Sequence, residues 1–232
     1  MAESLASLVN VSYRYPRGKG GWALAEVTVD LPRGVVVGVL GANGAGKTTL
    51  LRLLVGQLHP TGGLLRRLPG ARWGWLPDLP CVAGPLPAAA YAGVLGCQED
   101  QLAHTLERFQ VQDLWRRPGS RLSTGQRRRL ELALLVAGDS EVLVLDEPAS
   151  GLDPLQVNRL GALLRDQLAV GRSVVVSSHW VRELASCLDF LLVLVGGRLA
   201  FAGWQEQLRS QWPLAEPLAP EAEEFLARVV QP

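Results

Sequence analysis

A glycine loop set between two different hydrophobic patterns constrains this chain more than any other feature. Residues 35–40 form a continuous β-branched and aliphatic run, the pattern of a strand buried on both faces in a parallel sheet. Gly41-Ala42-Asn43-Gly44-Ala45-Gly46-Lys47-Thr48 follows at once and fits GxxxxGKS/T in full. Residues 47–55 then read as a helix that ends near Gly56. The glycines let the backbone curl so that successive N–H groups converge on phosphate oxygens. The helix adds its positive N-terminal end at the same point. Lys47 can place an ammonium on the outer phosphates of a nucleoside triphosphate, and the Thr48 hydroxyl can ligate Mg2+.

A second buried run, residues 142–145, ends directly in Asp146-Glu147. In open α/β sheets, ligands sit outside the carboxyl ends of the strands. Asp146 is then placed to hold Mg2+, directly or through water, and Glu147 to orient or deprotonate an attacking water. Acids abutting four aliphatic residues need a cation or donors close by.

The rest of the pattern gives the fold class. Residues 173–176 repeat the buried-strand pattern, and residues 155–168 before them have helical spacing. Strand, helix and strand in this order make βαβ units under a parallel sheet. Residues 190–195 close at Gly196-Gly197 and return as a hairpin over 198–201. Residues 8–15 and 22–31 read as β, with a turn at 16–21 between them. The middle differs: 88–96, 99–109 and 125–137 read as helices after a stretch, 77–87, rich in proline and small residues. The tail from Pro213 carries a short amphipathic segment at 221–229.

Composition excludes several classes. Hydrophobic residues are 48% and charged residues 19% of the 232, enough for a sizeable core. With 23 basic and 22 acidic side chains the net charge is +1, so no field favours nucleic acid. Cys81, Cys97 and Cys187 form no CxxC pair, which fits a reducing cytoplasm and argues against disulfides or zinc. No apolar run approaches the ~18 residues of a membrane span, and residues 1–10 lack the pattern of a signal peptide. Any membrane role then comes through a partner. The cations are nearly all arginine, with Lys19 and Lys47 the only lysines. Arg127-Arg128-Arg129 therefore reads as a solvated face, with long-range attraction of nucleotide as the sharper alternative.

Two further motifs select a family. Leu122-Ser123-Thr124-Gly125-Gln126 resembles the LSGGQ signature of ABC-type ATPases, with threonine at the third position. Ser150-Gly151-Leu152-Asp153 resembles their D-loop, His179 matches their switch histidine, and Tyr15 matches the aromatic that stacks on adenine. The resemblance covers roughly residues 5–208. It implies an α/β fold: a P-loop NTPase core with a mainly parallel sheet, an N-terminal antiparallel β part and an inserted small helical subdomain. The implied ATPase domain is 1–212, with the insert at about 78–137 and an appendage at 213–232.

The resemblance also implies ATP and Mg2+ as ligands. The contacts on one subunit are Tyr15, Gly41, Asn43, Gly44, Ala45, Gly46, Lys47, Thr48 and Thr49. Ser123, Gly125 and Gln126 reach the nucleotide across a head-to-tail homodimer or heterodimer. Thr48 and Asp146 hold the metal, with Glu147, His179 and Lys47 catalytic. Ser123 can cap the helix that follows, whose N-terminus then faces the γ-phosphate.

The family's usual glutamine before the helical insert is missing. Its place in Trp73-Gly74-Trp75-Leu76-Pro77-Asp78 is taken by Asp78. Aspartate only accepts and adds negative charge, so Asp78 can ligate Mg2+ but repels the γ-phosphate if unpaired. The expectation is a retained metal or water contact and slower hydrolysis; the alternative is an acid outside the site.

The leading reading is the ATP-hydrolysing subunit of a membrane transporter, an exporter by its single sheet-closing strand. It would sit on the cytoplasmic side of the membrane against a transmembrane permease subunit. The alternative is a soluble switch of the same family acting on a non-membrane partner. Residues 79–92 read equally as a docking surface or as packed core.

Overall fold

The computed structural model describes residues 4–16, 21–82, 84–93, 95–97, 99–179 and 184–211. The appendage at 213–232, and most of the turn expected at 16–21, lie outside the described residues.

Two sheets carry the architecture. In the smaller, β1 (Ser4–Tyr13) is central, flanked by β2 (Leu24–Pro32) and β4 (Gly62–Arg67), both antiparallel to it. The larger sheet contains β3 (Val36–Leu40), β5 (Trp73–Leu76), β6 (Val142–Leu145), β7 (Ser173–Ser178), β8 (Phe190–Val195) and β9 (Arg198–Trp204). Its order is β5-β6-β7-β3-β8-β9, parallel except for the antiparallel hairpin of β8 and β9. A parallel core and an N-terminal antiparallel part are what the sequence pattern and the resemblance imply. β4 was not anticipated: Gly-Gly-Leu-Leu-Arg-Arg has no alternation, and pairing with β1 makes it a strand.

β3 shows why its run is continuously apolar. Its side chains alternate between two cores: Val36 and Leu40 enter one, Val37 and Val39 the other. The first core is closed by α5 (Pro154–Ala169) through Val157, Leu160, Leu163 and Leu164. The second is closed by α1 (Lys47–Leu54) through Leu50, Leu51, Leu53 and Leu54, together with the small sheet's Leu5, Leu8 and Val11.

A third core serves the middle of the chain. It gathers Leu102 and Leu106 of α3 (Glu99–Arg108) with Leu130, Ala133 and Leu134 of α4 (Thr124–Ala137). The helix expected over 88–96 is only α2 (Ala89–Ala92). Gly93 follows it, and Gly96 turns with φ +66, a conformation that ends helical propagation. Within 79–92 the chain divides: Val82, Ala88 and Ala92 are core, while Leu79 and Leu86 are exposed. The last described element is α6 (Gln205–Gln211).

Candidate active site

The strand order creates the site. β3 lies between β7 and β8, so the chain leaves β3 at the point where successive connections diverge. The loop at 41–48 emerges there, beside the ends of β6 and β7. Gly46 holds φ +104, and a Cβ on it would lie 2.6 Å from the Ala23 carbonyl oxygen. Only glycine lets the loop pass this close to the start of β2.

Lys47 is buried, and its Nζ donates to the carbonyl oxygens of Gly41 (2.8 Å) and Ala42 (3.2 Å). The same ammonium lies 3.1 Å from Glu147 Oε1. Thr48 Oγ1 donates to Asp146 Oδ2 at 2.7 Å. The other oxygen of Asp146 accepts from Ser177 Oγ at 2.6 Å, and Ser177 Oγ accepts from the Glu147 N–H at 2.9 Å. Ser177 thus orients both acids. Ser177 is not among the sequence-predicted site residues; a hydroxyl near the end of a buried strand was the available signal.

Glu147 adopts φ +47, a left-handed conformation costing about 1–3 kcal/mol in a side-chain-bearing residue. The turn aims its carboxylate back over the loop. Oε2 lies 2.8 Å from His179 Nδ1 and accepts from the His179 N–H at 3.3 Å. Tyr15 stands at the rim, edge-on to Tyr13 at 4.9 Å between ring centres, with Oη 3.3 Å from Thr49 Oγ1.

Part of this constellation lines one cleft of about 310 Å3; Asp146 and His179 are not among its lining residues but bond to Thr48 and Glu147, which are. Tyr15, Asn43, Gly44, Lys47, Asp78 and Glu147 line it, together with Gly46, Thr48 and Thr49. Gly41 contributes its carbonyl to Lys47, and Ala45 is packed into the core behind the loop. Asp78 therefore stands at the cleft rather than away from it.

Ser123, Gly125 and Gln126 are not among the residues lining this cleft. Ser123 Oγ accepts from the Gln126 N–H at 3.2 Å, and Gln126 Oε1 accepts from the Ser123 N–H at 3.0 Å. This reciprocal capping box fixes the N-terminus of α4. Asp153 caps α5 in the same way, accepting from the Gln156 N–H at 2.9 Å.

The three arginines at the start of α4 do not form a solvated face. Arg127 donates to the carbonyls of Gly119 and Leu122, and Arg129 to that of Phe109. Arg128 is 5% exposed and donates to the carbonyls of Pro77 (2.6 Å) and Asp146. It lies 3.7 Å from Glu131, whose Oε1 accepts from the Val82 N–H at 2.8 Å. Burial pushes the Arg128 guanidinium down from its ordinary value and the Glu131 carboxyl up; each charge and the Val82 N–H oppose those shifts. The loop segments around α4 fold over the arginines and supply carbonyls that a linear pattern cannot show.

Among the described residues no group of three or more His, Cys, Asp or Glu gathers as a metal cage. The oxygens of Thr48 and Asp146 suit Mg2+ instead, which favours a few protein oxygens shared with substrate phosphates.

Known proteins resemble this chain in sequence and in fold. Residues 24–150 match the family model described as ABC transporter. The lipopolysaccharide export system ATP-binding protein LptB of Acidithiobacillus ferridurans is 35% identical over 79% of this chain and 84% of its own. The lantibiotic transport ATP-binding protein SrtF of Streptococcus pyogenes is 27% identical over 76% of this chain and 82% of its own. The glucosylceramide transporter ABCA12 of Homo sapiens is 30% identical over 82% of this chain, which spans only 8% of that protein. A solved ATP-binding subunit of an ABC transporter superposes with TM-score 0.79 at 22% identity, covering 97% of this chain and 100% of its own. A complete phosphate loop joined to two strand-end acids, on a fold and in a sequence shared with these proteins, places the chain in the ABC transporter ATP-binding family.

Proposed function

We propose that this chain binds and hydrolyses ATP to drive a membrane transporter in the export direction. One observation carries the chemical part: Lys47, Thr48 and Glu147 line one cleft, and Asp146 and His179, from two neighbouring strand ends, bond to Thr48 and Glu147 there. The 41–48 loop and Lys47 bind the phosphates. Thr48 and Asp146 hold Mg2+, which supplies charge neutralisation at the phosphates. Glu147 positions and deprotonates the attacking water, and His179 orients the Glu147 carboxylate. Tyr15 packs on the adenine.

A second cassette, identical or related, presents its Ser123–Gln126 region across the nucleotide. The capping box supports that role, because it leaves the first turn of α4 fixed at the surface. We take 1–212 as the ATPase unit, 78–137 as its helical insert and 213–232 as an appendage. Asp78 keeps a metal or water contact and slows hydrolysis relative to glutamine.

No helix of the described residues is long and apolar enough to cross a membrane. Leu79, Leu86 and Leu95 are exposed, Leu95 also lining a small apolar pocket with Trp75, Val82 and Tyr91, and we assign these residues to contact with a transmembrane partner at the cytoplasmic surface. The export direction is supported by the named role of LptB in a lipopolysaccharide export system.

The test has two readings. Purified chain should hydrolyse ATP with Mg2+ and lose activity with EDTA. A polytopic membrane protein should co-purify from detergent-solubilised membranes, and Leu79→Asp with Leu86→Asp should abolish that capture while leaving ATP binding intact. Retention of only soluble partners would overturn the transporter assignment.

A further inference from the structure

Asp78 faces two ways. On one side it lines the phosphate cleft with Lys47, Thr48 and Glu147. On the other it lines an adjoining pocket of about 90 Å3 with Arg128 and Glu131. Phosphate binding would bring several negative charges toward this carboxylate, and Lys47 is already shared among two carbonyls and Glu147. An uncompensated acid here would weaken binding of the nucleotide.

The compensation is in place behind it. Arg128 holds the carbonyl of Pro77, the residue before Asp78, and the carbonyl of Asp146 at the end of β6. Glu131 holds the far end of the same turn through the Val82 N–H. The turn at 78–82 is therefore tied at both ends to the first turns of α4. Arg128 and Asp78 line the same small pocket, with Glu131 3.7 Å from the guanidinium. A planar guanidinium can serve two carbonyls with separate nitrogens and keep its full charge; an ammonium lacks that fork.

We propose that Arg128 is a positioning residue that makes Asp78 compatible with a triphosphate, by fixing the Asp78 turn to the end of β6 and neutralising its carboxylate. This rests on the nucleotide reading of the cleft. It adds a charge pair, Arg128 with Asp78, whose two members work only together.

The experiment is a calorimetric titration with ATP and with ADP in metal-free buffer at low salt. The proteins are the full chain, Arg128→Gln, Asp78→Asn and the double variant. Arg128→Gln should weaken ATP about tenfold, equivalent to about 1.4 kcal/mol, and ADP less. Adding Asp78→Asn should restore ATP binding to within about threefold of the parent, which repair of a general packing defect would not do. If Arg128→Gln does not fold, Asp78→Asn alone decides: with Arg128 present and its partner removed, ATP should bind about threefold tighter. Unchanged ATP affinity in Arg128→Gln, a loss equal for ATP and ADP, or a loss that Asp78→Asn fails to relieve would overturn the pairing. So would unchanged affinity in Asp78→Asn when it is the deciding variant. Failure of the parent chain to bind ATP would instead remove the nucleotide reading itself.

Discussion

Lys47 and His179 sit on opposite oxygens of one carboxylate: Glu147 Oε1 is 3.1 Å from Lys47 Nζ, and Oε2 is 2.8 Å from His179 Nδ1. The phosphate-loop cation and the histidine after β7 are thus linked through the acid proposed to handle water. Its left-handed backbone, φ +47, makes that bridge possible.

Glu147→Gln should keep the shape of this bridge and remove the base. Turnover should fall at least about 100-fold, within the range usual for general-base removal. ATP binding should survive, because the phosphate loop is untouched. Steady-state kinetics together with an equilibrium binding titration separates the two effects, and equal losses in both would contradict the role assigned to Glu147.

Ser177 joins Asp146 to the Glu147 backbone through one hydroxyl. Ser177→Ala should leave two buried acceptor and donor groups short of a partner and cost about 1–3 kcal/mol of stability. Because it also loosens both acids, the Mg2+ concentration for half-maximal ATPase activity should rise. Metal titrations of the parent and variant at saturating ATP check this.

Asp78→Gln should raise the maximal hydrolysis rate, since a neutral side chain replaces an acid at the cleft. A slower variant would show that Asp78 is an adaptation rather than an impairment.

Glu131→Ala should destabilise the fold by about 3–5 kcal/mol, because it removes the buried carboxylate that lies 3.7 Å from the Arg128 guanidinium. Glu131→Gln keeps an acceptor for the Val82 N–H and should cost less. Urea unfolding of the two variants against the parent measures the difference.

Cys187 gives a pH signature. Burial raises its thiol from 9.0 to about 11. Below the unfolded value the thiol is neutral in both states and the full stability is present. As pH rises from 9.0 toward about 11, the unfolded thiol ionises first and favours unfolding. The parent should therefore lose about 2 kcal/mol relative to Cys187→Ala across that window. Unfolding curves for both proteins at stepped pH test the difference, and parallel profiles would refute it.

Much of the frame was legible before folding. The runs at 35–40 and 142–145 are continuously apolar because both sheet faces are covered, and that pattern needs no knowledge of neighbours. The cap Ser123 was equally local, since it bonds three residues along its own helix. β4 was not legible, because its strand state comes from pairing with β1 rather than from its own alternation. The helix at 88–96 was overextended because Gly96 takes a left-handed turn, one of the conformations open to glycine.

By itself the sequence picked out the candidate groups: a glycine-rich loop with one lysine and one threonine, and two acids ending a buried strand. Those are short-range features, set by backbone curvature and by the solvation of charge at a strand end. The tertiary structure alone decided how the groups meet. Thr48 and Asp146 are 98 residues apart and bond at 2.7 Å because β7, paired with both strands, holds the end of β6 one strand away from the end of β3. It also decided the state of Arg128, whose surroundings come from β5, β6 and the 78–82 turn. Burial and pairing are properties of neighbours distant in the chain, so a linear pattern of charges carries no record of them.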